Sequence, residues 1–484
     1  MTESAHGLRR VNDCLWELPR TGGMRVSGRV YADEKLLVHI REEKALDQVA
    51  NVAHLPGIVR HSLAMPDIHW GYGFPIGGVA ATDPSQGGVV SPGGVGYDIN
   101  CGVRLVTSRT DIAEVRSRVP DLVRALFHDV PCGLGSHGAI GKLTRKDLTE
   151  VMVQGAGWAV KKGLGTQTDL EHTEEGGRLP LADPSAVSER AVGRGLDQVG
   201  TLGSGNHFLE IGFVDEVYDD RAAAAFDLAK GEMTLLVHSG SRGLGYQVCD
   251  DSLEIMQRAV DKYGIALPDR QLACAPVESP EGNRYLAAMA CAANYAWANR
   301  QVIMALAVRT IARTLGTGPE KLGLKLLYDV CHNIAKLERH DVGGERRLLC
   351  VHRKGATRAF PAGHPDVPAA HRSVGQPVLV PGDMGRESYV CVGTDAALAE
   401  TFGSTCHGAG RMLSRARAKK ASAGRKLEEE LTRMGVFVMA EGRGTLAEEM
   451  PYAYKNVADV VGVMERAGIA RRVARLKPVG VMKG

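Results

Sequence analysis

Several features that would assign this 484-residue chain to familiar functional classes are absent from its sequence. None of the ten cysteines has a partner at C-x-x-C spacing, which excludes a zinc ribbon and a thioredoxin motif. The N-terminus, MTESAHGLRR, lacks the apolar segment of a signal peptide. No apolar run reaches the ~18 residues that a transmembrane helix needs. We therefore expect a cytoplasmic protein with free thiols and no membrane partner.

A large excess of one charge and a high aromatic content are missing as well. The net charge of +3 excludes a polycation that binds nucleic acid by bulk charge, but it leaves a local basic groove open. Aromatic residues make up 5% of the chain, which argues against a surface that reads single strands mainly by stacking. The segment GSRGLG at residues 240–245 falls short of a Walker A sequence, so a bound nucleotide would need another design.

Strand-like apolar runs and helical stretches follow one another along the chain. The strand-like runs cover residues 103–107, 234–239, 348–352, 377–381, 388–393 and 436–440. Helices are predicted over residues 283–315, 410–434 and 457–476. Residues 163–184 are polar and predict an exposed excursion. Because candidate polar sites are spread over most of the chain, we expect residues 1–484 to form a single α+β domain.

Metal-binding side chains stand near the glycine clusters that the chain does have in abundance. Its 59 glycines gather in short groups, densest in residues 65–104, a pattern typical of loops shaped around a ligand. Five candidate ligands lie at the ends of predicted elements: Asp98, Cys101, His207, His238 and His332. Each alone is more typical of a core residue, but together they are the usual ligand set of a transition metal. The sequence therefore predicts a metal enzyme.

His407 is the candidate nucleophile. It lies in TCHGAGR at residues 405–411, which is predicted to open a helix. A helix N-terminus suits a phosphate, and a neutral imidazole there can attack a nucleotide α-phosphate. The first turns of that helix are basic: Arg411, Arg415, Arg417, Lys419 and Lys420. A histidine that only caps the helix or binds phosphate, and a basic face that is only solvated, stay open as alternatives.

A series of short motifs resembles the RtcB family of RNA ligases. In chain order they are DINCGVR, GSGNHFLEI, HSGSRGLG, NYAWANRQ, DVCHNIAK, VHRKGATRAFP, FGSTCHGAGR, AYKN and KPVGVMKG. Each motif is short, but the ordered series runs from about residue 65 to the last residue and is highly specific. The resemblance implies mixed β-sheets flanked by helices around a central metal cleft.

The resemblance also implies two Mn²⁺ ions and GTP as cofactors. Cys101 would bridge the ions, with Asp98 and His207 on one, and His238 and His332 on the other. Thiolate and imidazole suit zinc better, so zinc is expected to compete. His407 would take GMP from GTP. Three residues would lie near phosphates: Asn206, Arg242 and Arg411. Five would surround the guanine: Glu210, Asp383, Ser388, Tyr454 and Lys483. The apolar run at residues 479–482 could dock the tail that carries Lys483.

Asp383 departs from the family pattern. It lies in PGDMGRESY, where the family is expected to have a small hydroxyl residue. We predict that Asp383 accepts a hydrogen bond from guanine, with Arg386 as its charge partner. The alternative is that Asp383 caps its own loop, because Asp readily accepts hydrogen bonds from local backbone N–H groups.

The implied reaction joins RNA 2′,3′-cyclic phosphate or 3′-phosphate ends to 5′-hydroxyl ends, through a guanylylated histidine and an RNA 3′-guanylylated intermediate. It would serve tRNA splicing or RNA repair. One alternative is a paralogue that caps RNA or DNA 3′-phosphate ends with GMP without efficient ligation. Another is an RNA-binding protein with a dead site, which the intact candidate residues argue against. The sequence leaves open the natural RNA, the oligomeric state and the need for an activating protein partner.

Overall fold

Two large β-sheets form the framework of the protein, which a computed structural model describes over residues 7–484. The strands are β1 (Arg9–Asn12), β2 (Leu15–Leu18), β3 (Ser27–Tyr31), β4 (His61–His69), β5 (Ile76–Thr82), β6 (Val89–Val90), β7 (Gly102–Asp111), β8 (Phe208–Val217), β9 (Glu232–Ser239), β10 (Ala275–Pro276), β11 (Lys325–Cys331), β12 (Asn333–Val342), β13 (Glu345–Lys354), β14 (Ala356–Arg358), β15 (Pro377–Val380), β16 (Ser388–Gly393), β17 (Ser404–Cys406), β18 (Phe437–Ala440) and β19 (Ala470–Lys483).

The sheets are mixed. The first has seven strands in the order β1-β2-β3-β4-β5-β13-β12. The second has eight, in the order β11-β7-β9-β8-β19-β16-β15, with β18 beside β19. Strand pairs β3–β4 and β18–β19 are parallel, and the other pairs in these sheets are antiparallel. Two short ribbons, β6–β10 and β14–β17, complete the strands. All six predicted strands are confirmed.

Helices flank both sheets, so the predicted α+β class is confirmed. They are α1 (Glu34–Glu42), α2 (Ala45–Val52), α3 (Ile112–Val115), α4 (Val119–Asp129), α5 (Arg145–Gln154), α6 (Ala156–Lys161), α7 (Gln167–Glu171), α8 (Glu189–Gly195), α9 (Asp220–Ala225), α10 (Arg242–Lys262), α11 (Pro280–Leu315), α12 (Pro319–Leu322), α13 (Asp395–Thr401), α14 (Arg415–Ala421), α15 (Leu427–Arg433), α16 (Arg443–Glu448) and α17 (Val457–Arg466). Within residues 7–484, no helix is long and apolar enough to cross a membrane.

Helix α11 is the longest helix in the described residues 7–484. It packs against α4, α5, α6 and α10 and is buried along most of its 36 residues. Ser279 caps its N-terminus by accepting a hydrogen bond from the Gly282 N–H, and Pro280 takes a first-turn position where no N–H is needed. The helix therefore begins three residues before the predicted start at residue 283, and its predicted end at residue 315 is confirmed.

Two helix predictions near the C-terminus are wrong in extent. Residues 410–434 are not one helix: the chain stays irregular up to Ser414, which caps α14, and α15 follows after a break. Residues 457–476 hold α17 only as far as Arg466. Gly468, with φ 74°, then turns the chain into β19.

The polar segment at residues 163–184 is only partly exposed. Thr173, Glu174 and Gly177 are buried. The Glu174 carboxylate lies 2.8 Å from the Lys336 ammonium and 3.3 Å from the Arg358 guanidinium, both also buried. Because a buried charge needs opposite charges around it, these ion pairs tie the middle of the segment to β12 and β14.

Candidate metal centre and nucleotide cleft

A cleft of about 360 Å³ collects side chains from the ends of strands in both large sheets. This volume falls in the range of roughly 300–1,000 Å³ usual for small-molecule sites. Of the predicted residues, those that line it are Asp98, Cys101, Asn206, His238, His332, Asp383, His407, Arg411, Tyr454 and Lys483. His207, Glu210, Arg242 and Ser388 lie outside this lining.

The five predicted metal ligands converge in two groups that share Cys101. One group is Cys101, His238 and His332, and the other is Asp98, Cys101 and His207. Within each group the ligand atoms lie within 4.8 Å of one another. The Cys101 Sγ is 3.3 Å from Nε2 of both His207 and His238. Cys101, directly before β7, thus lies between the imidazole of His207, directly before β8, and that of His238 in β9.

The donor set fits a cation. The Nδ1 of His207 donates to the Leu202 carbonyl at 3.0 Å, so Nε2 is the nitrogen that faces the other candidate ligands. It lies 2.8 Å from the Asp98 carboxylate. Burial, together with the charge of Asp98, raises the pKa of the Cys101 thiol well above its usual range. A metal ion binds the deprotonated forms of these three groups, so it would offset the cost of burying them together.

Buried polar residues of α11 hold the loops that carry these ligands. The Asn299 side chain accepts from the Gly200 and Thr201 N–H groups and donates to the Gly240 carbonyl. The Arg300 guanidinium donates to the Asn100 carbonyl at 2.7 Å and to the Ser239 carbonyl at 3.0 Å. The NYAWANRQ motif therefore fixes the ligand loops from behind.

His407 is paired with Asp67, a residue that the sequence did not single out. Its Nδ1 lies 2.6 Å from Asp67 Oδ2, and the His407 and Gly408 N–H groups donate to the same oxygen. Burial alone would raise the pKa of Asp67, but the charge and hydrogen bonds of His407 outweigh it and the pKa lies below its usual range. The His407 and His332 rings lie 4.8 Å apart, so the nucleophile candidate adjoins the metal ligands.

The position of His407 differs from the prediction. It follows strand β17 rather than opening a helix, and α14 begins only at Arg415. The backbone of Gly410 accounts for the difference. Its φ of 72° is not helical, and it lies so close to β4 that a Cβ there would be 2.2 Å from the Asp67 carbonyl oxygen. Lys455 fixes the strand segment around Asp67, since its Nζ donates to the carbonyls of Pro66 and Ile68 on either side of that residue.

Of the basic residues after His407, Arg411 and Arg415 line the cleft. The carboxylate of Glu449, a second residue that the sequence did not single out, is buried and binds several of these side chains. The Arg411 guanidinium lies 3.0 Å from this carboxylate, and the Tyr454 hydroxyl donates to it. Lys483 lies 3.7 Å from Glu449 and donates to the Gly205 carbonyl at 2.9 Å. Strand β19 brings Lys483 there, opposite Phe208 of β8.

Glu210 and Asp383 lie close enough for the charge of Asp383 to affect the pKa of Glu210. Burial raises the pKa of Glu210 to about 8, and the charge of Asp383 adds to the rise. Asp383 accepts from the Gly385 and Arg386 N–H groups and from the Arg386 guanidinium at 2.5 Å. Both of its carboxylate oxygens are therefore engaged within its own loop, the geometry of the capping alternative. Ser388 supports that loop by accepting from the Gly382 N–H.

Asn206 and Arg242 lie on the metal side of the cleft. Asn206 directly precedes His207 and lines the cleft. Arg242 begins α10 with φ 53°, and its guanidinium donates to the Thr201 hydroxyl and the Gly133 carbonyl. Burial would raise the pKa of Asp98, but the charge and hydrogen bond of His207 outweigh it, and the positive charge of Arg242 adds to the lowering.

Comparison with known proteins gives consistent results along the whole chain. The sequence profile of the family described as tRNA-splicing ligase RtcB matches residues 48–484. A tRNA-splicing ligase RtcB from Archaeoglobus fulgidus is 53% identical over 479 residues, or 99% of each chain. One from Thermococcus kodakarensis is 53% identical over 478 residues, again 99% of each chain. An RNA-splicing ligase RtcB from Mycobacterium tuberculosis is 52% identical over 438 residues, which cover 90% of this chain and 100% of the mycobacterial protein.

Proposed function

This chain belongs to the tRNA-splicing ligase RtcB family, and from that premise we propose that it joins RNA 3′-phosphate or 2′,3′-cyclic phosphate ends to 5′-hydroxyl ends, using GTP and Mn²⁺. Family membership makes the protein a ligase. The finer proposal rests on one observation. A histidine backed by a carboxylate, His407 with Asp67, lies in the same cleft as two potential metal-binding groups that share Cys101.

The first step is nucleophilic attack by His407. With its Nδ1–H donated to Asp67, the imidazole carries its lone pair on Nε2. This nitrogen attacks the α-phosphorus of GTP, a P–N bond forms, the bond to the β-phosphate oxygen breaks, and pyrophosphate leaves. Asp67 stabilises the positive charge that the ring acquires, as a carboxylate does for a catalytic histidine.

Two further transfers complete the ligation. An oxygen of the RNA 3′-phosphate attacks the phosphorus held by His407, so the P–N bond breaks and GMP becomes joined to the RNA end. The 5′-hydroxyl oxygen of the second strand then attacks the RNA phosphorus, losing its proton, and GMP leaves. A 2′,3′-cyclic phosphate end is first opened by water to a 3′-phosphate.

Cofactor recognition is assigned to the two sides of the cleft. Bound by the groups around Cys101, two Mn²⁺ ions would neutralise phosphate charge and orient the phosphates for in-line attack. Asn206, Arg242 and Arg411 supply polar and positive groups for the phosphates. Glu210 would accept from the guanine N1–H and N2–H₂ groups, while Lys483 would donate to O6. Adenine presents the opposite polarity at this edge, which accounts for GTP over ATP.

The test is incubation of the protein with Mn²⁺, GTP and two RNA strands, one ending in a 2′,3′-cyclic phosphate and the other in a 5′-hydroxyl. We expect a joined strand, and an acid-labile, base-stable GMP label on the protein. His407→Ala should lose both. His128→Ala is the matched control, because the His128 side chain is 88% exposed and lies outside the cleft lining.

The products separate the competing functions. A strand that ends in GMP and is never joined would indicate the capping alternative. A GMP label that persists in His407→Ala would remove that residue as the nucleophile, and absence of both label and joined product from the wild type would overturn the proposal.

A further inference from the structure

Aromatic side chains, which are scarce in the chain as a whole, gather along one wall of the cleft. Tyr72 and Tyr97 both line it, with ring centroids 5.6 Å apart in an edge-to-face arrangement. Tyr246, on α10, stacks on Tyr97 at 4.8 Å and is 46% exposed. The three rings, here called the tyrosine wall, run from the cleft to the molecular surface.

The tyrosine wall adjoins the metal ligands. Tyr97 directly precedes Asp98 in the chain, and α10, which carries Tyr246, follows β9, the strand that contains His238 and ends at Ser239. Ser241, just before α10, donates its N–H to Asp98 at 2.9 Å. A group resting on Tyr97 therefore lies beside the place where a phosphate would meet the metal ligands.

The wall is held rigid from behind. The buried Lys354 ammonium donates to the carbonyls of Tyr72 and Phe74 and to the carbonyl of Gly93, four residues before Tyr97. These bonds fix the backbone of both segments without using the tyrosine rings. The rings remain partly exposed, unlike the core tyrosines Tyr285 and Tyr295. A rigid, partly exposed ring loses little entropy when it binds a flat ligand.

Cations flank the wall. The Arg194 guanidinium lies 5.6 Å from the Tyr246 ring centroid. Within residues 7–484, no carboxylate forms an ion pair with Arg194. A second arginine, Arg415, is 60% exposed, lies 3.6 Å from the Glu448 carboxylate and lines the same cleft. Aromatic rings interleaved with arginine side chains are typical of surfaces that bind single-stranded nucleic acid, where bases stack and phosphates meet the cations.

We propose that the tyrosine wall is a stacking site for unpaired bases of the RNA strand that carries the 3′-phosphate, at its last two nucleotides. This rests on the proposed function and deepens it. Stacking does not discriminate between bases, so the site would position RNA ends of any sequence. It would also favour a single-stranded end, because the faces of a base inside a duplex are already covered by its neighbours.

The test combines a protein variant with a missing base. A fluorescent single-stranded RNA with a 3′-phosphate is titrated with wild-type protein, Tyr97→Leu and Tyr97→Phe, and binding is followed by anisotropy. The same RNA lacking the base at either of its last two nucleotides is titrated in parallel. We expect Tyr97→Leu to weaken binding of the intact RNA about 10-fold, the usual scale of loss of one stacked base. Tyr97→Phe should bind nearly as wild type.

The abasic RNAs distinguish stacking from a structural effect. At least one of them should bind equally weakly to wild type and Tyr97→Leu, because the ring then has no base to contact. Tyr218→Leu is the matched control. Tyr218 is 37% exposed, stacks with Tyr389 and has an arginine over its ring, but it follows the C-terminal end of β8, whereas Phe208 begins that strand. This substitution should leave binding unchanged.

GMP labelling of the wild-type protein without RNA distinguishes failure of the proposed function from failure of the tyrosine wall. Absence of label overturns the proposed function. Normal label, combined with equal loss for intact and abasic RNA or no loss in Tyr97→Leu, overturns the tyrosine wall alone.

Discussion

At the scale of single residues, the chemistry depends most on the contact between Asp67 and His407. One carboxylate oxygen accepts from the ring and from two backbone N–H groups, so it fixes both the tautomer and the position of the imidazole. Asp67→Asn would keep the size of the side chain but lose its negative charge. We expect the rate of GMP labelling to fall by a factor on the order of 10²–10⁴, the usual contribution of such a partner.

The measurement is the single-turnover rate of labelling by GTP, alongside thermal unfolding. The amide oxygen of Asn can still accept the backbone N–H groups, so the melting temperature should change little. A labelling rate equal to that of wild type would show that Asp67 only holds the loop.

Glu210 is the residue at which stability and nucleotide recognition oppose each other. Its folded-state pKa of about 8 exceeds the ordinary value of 4.5, so between those pH values the folded protein holds a proton that the unfolded chain has released. Stability therefore falls as the pH rises through this window. At pH 7 this lowers the free energy of unfolding by about 3 kcal/mol. Glu210→Gln should raise the melting temperature of the nucleotide-free protein at pH 8 and not at pH 4.

The same variant should lose discrimination between GTP and ITP, which lacks the guanine N2 amine. A neutral amide offers one acceptor where the carboxylate offers two. Asp383→Ser is the matched comparison, because Asp383 lies nearby but has both oxygens engaged by Arg386 and its own loop. We expect it to keep the preference for GTP. If the preference for GTP over ITP fell in Asp383→Ser and survived in Glu210→Gln, Asp383 rather than Glu210 would be the carboxylate that accepts from the guanine N2 amine.

At the scale of elements, the strands were predictable, but the extent of the C-terminal helices was not. Residues 103–107 are buried at every position because β7 is covered on both faces, and their strand-like pattern is a local signal. Residues 410–434 have helical composition, but a close approach between Gly410 and Asp67 keeps the start of that segment irregular. Nothing in the local sequence shows a contact with a residue over 300 positions away.

Strand β19 shows how an element places a chain end in the cleft. Its last residues pair with β8 on one side and β18 on the other, so Lys483 is 2% exposed rather than frayed. Lys483→Met keeps the strand and removes the ammonium. We expect it to raise the KM for GTP in labelling at least 10-fold, while the melting temperature stays near that of wild type.

Deletion of residues 483 and 484 is the harsher comparison, because it also removes the strand pairing with Phe208 and Ala440. It should lower both labelling and stability. Wild-type labelling by Lys483→Met would take the side chain out of the guanine site, whatever the deletion does.

At the scale of the whole molecule, the cleft is assembled from residues between His69 and Lys483 and from both large sheets. The predicted ligands meet in space although more than 200 residues separate Asp98 from His332. The sequence supplied residue types, and the ordered motifs supplied the family. The partners Asp67, in β4, and Glu449, at the end of α16, give no local signal, because single acidic residues are common and their burial is decided by distant segments.

This assembly makes metal binding a property of the folded state. An ion held by ligands from four strand ends binds the native protein and not the unfolded chain, so Mn²⁺ should raise the melting temperature. The gain is about 2.7 kcal/mol at a metal concentration 100 times the Kd. Because Cys101 belongs to both ligand groups, Cys101→Ala should abolish the rise and leave fewer than two ions in elemental analysis.

Cys391→Ala is the matched control, since Cys391 is equally buried but lies in β16 and outside the cleft lining. It should lose some stability through the small cavity it leaves, yet keep both ions and the full response to Mn²⁺. Zinc is the necessary competitor in the same titration, because thiolate and imidazole favour it. Two ions retained by Cys101→Ala would refute a bridging thiolate, and the two ligand groups would then have to bind their metals independently.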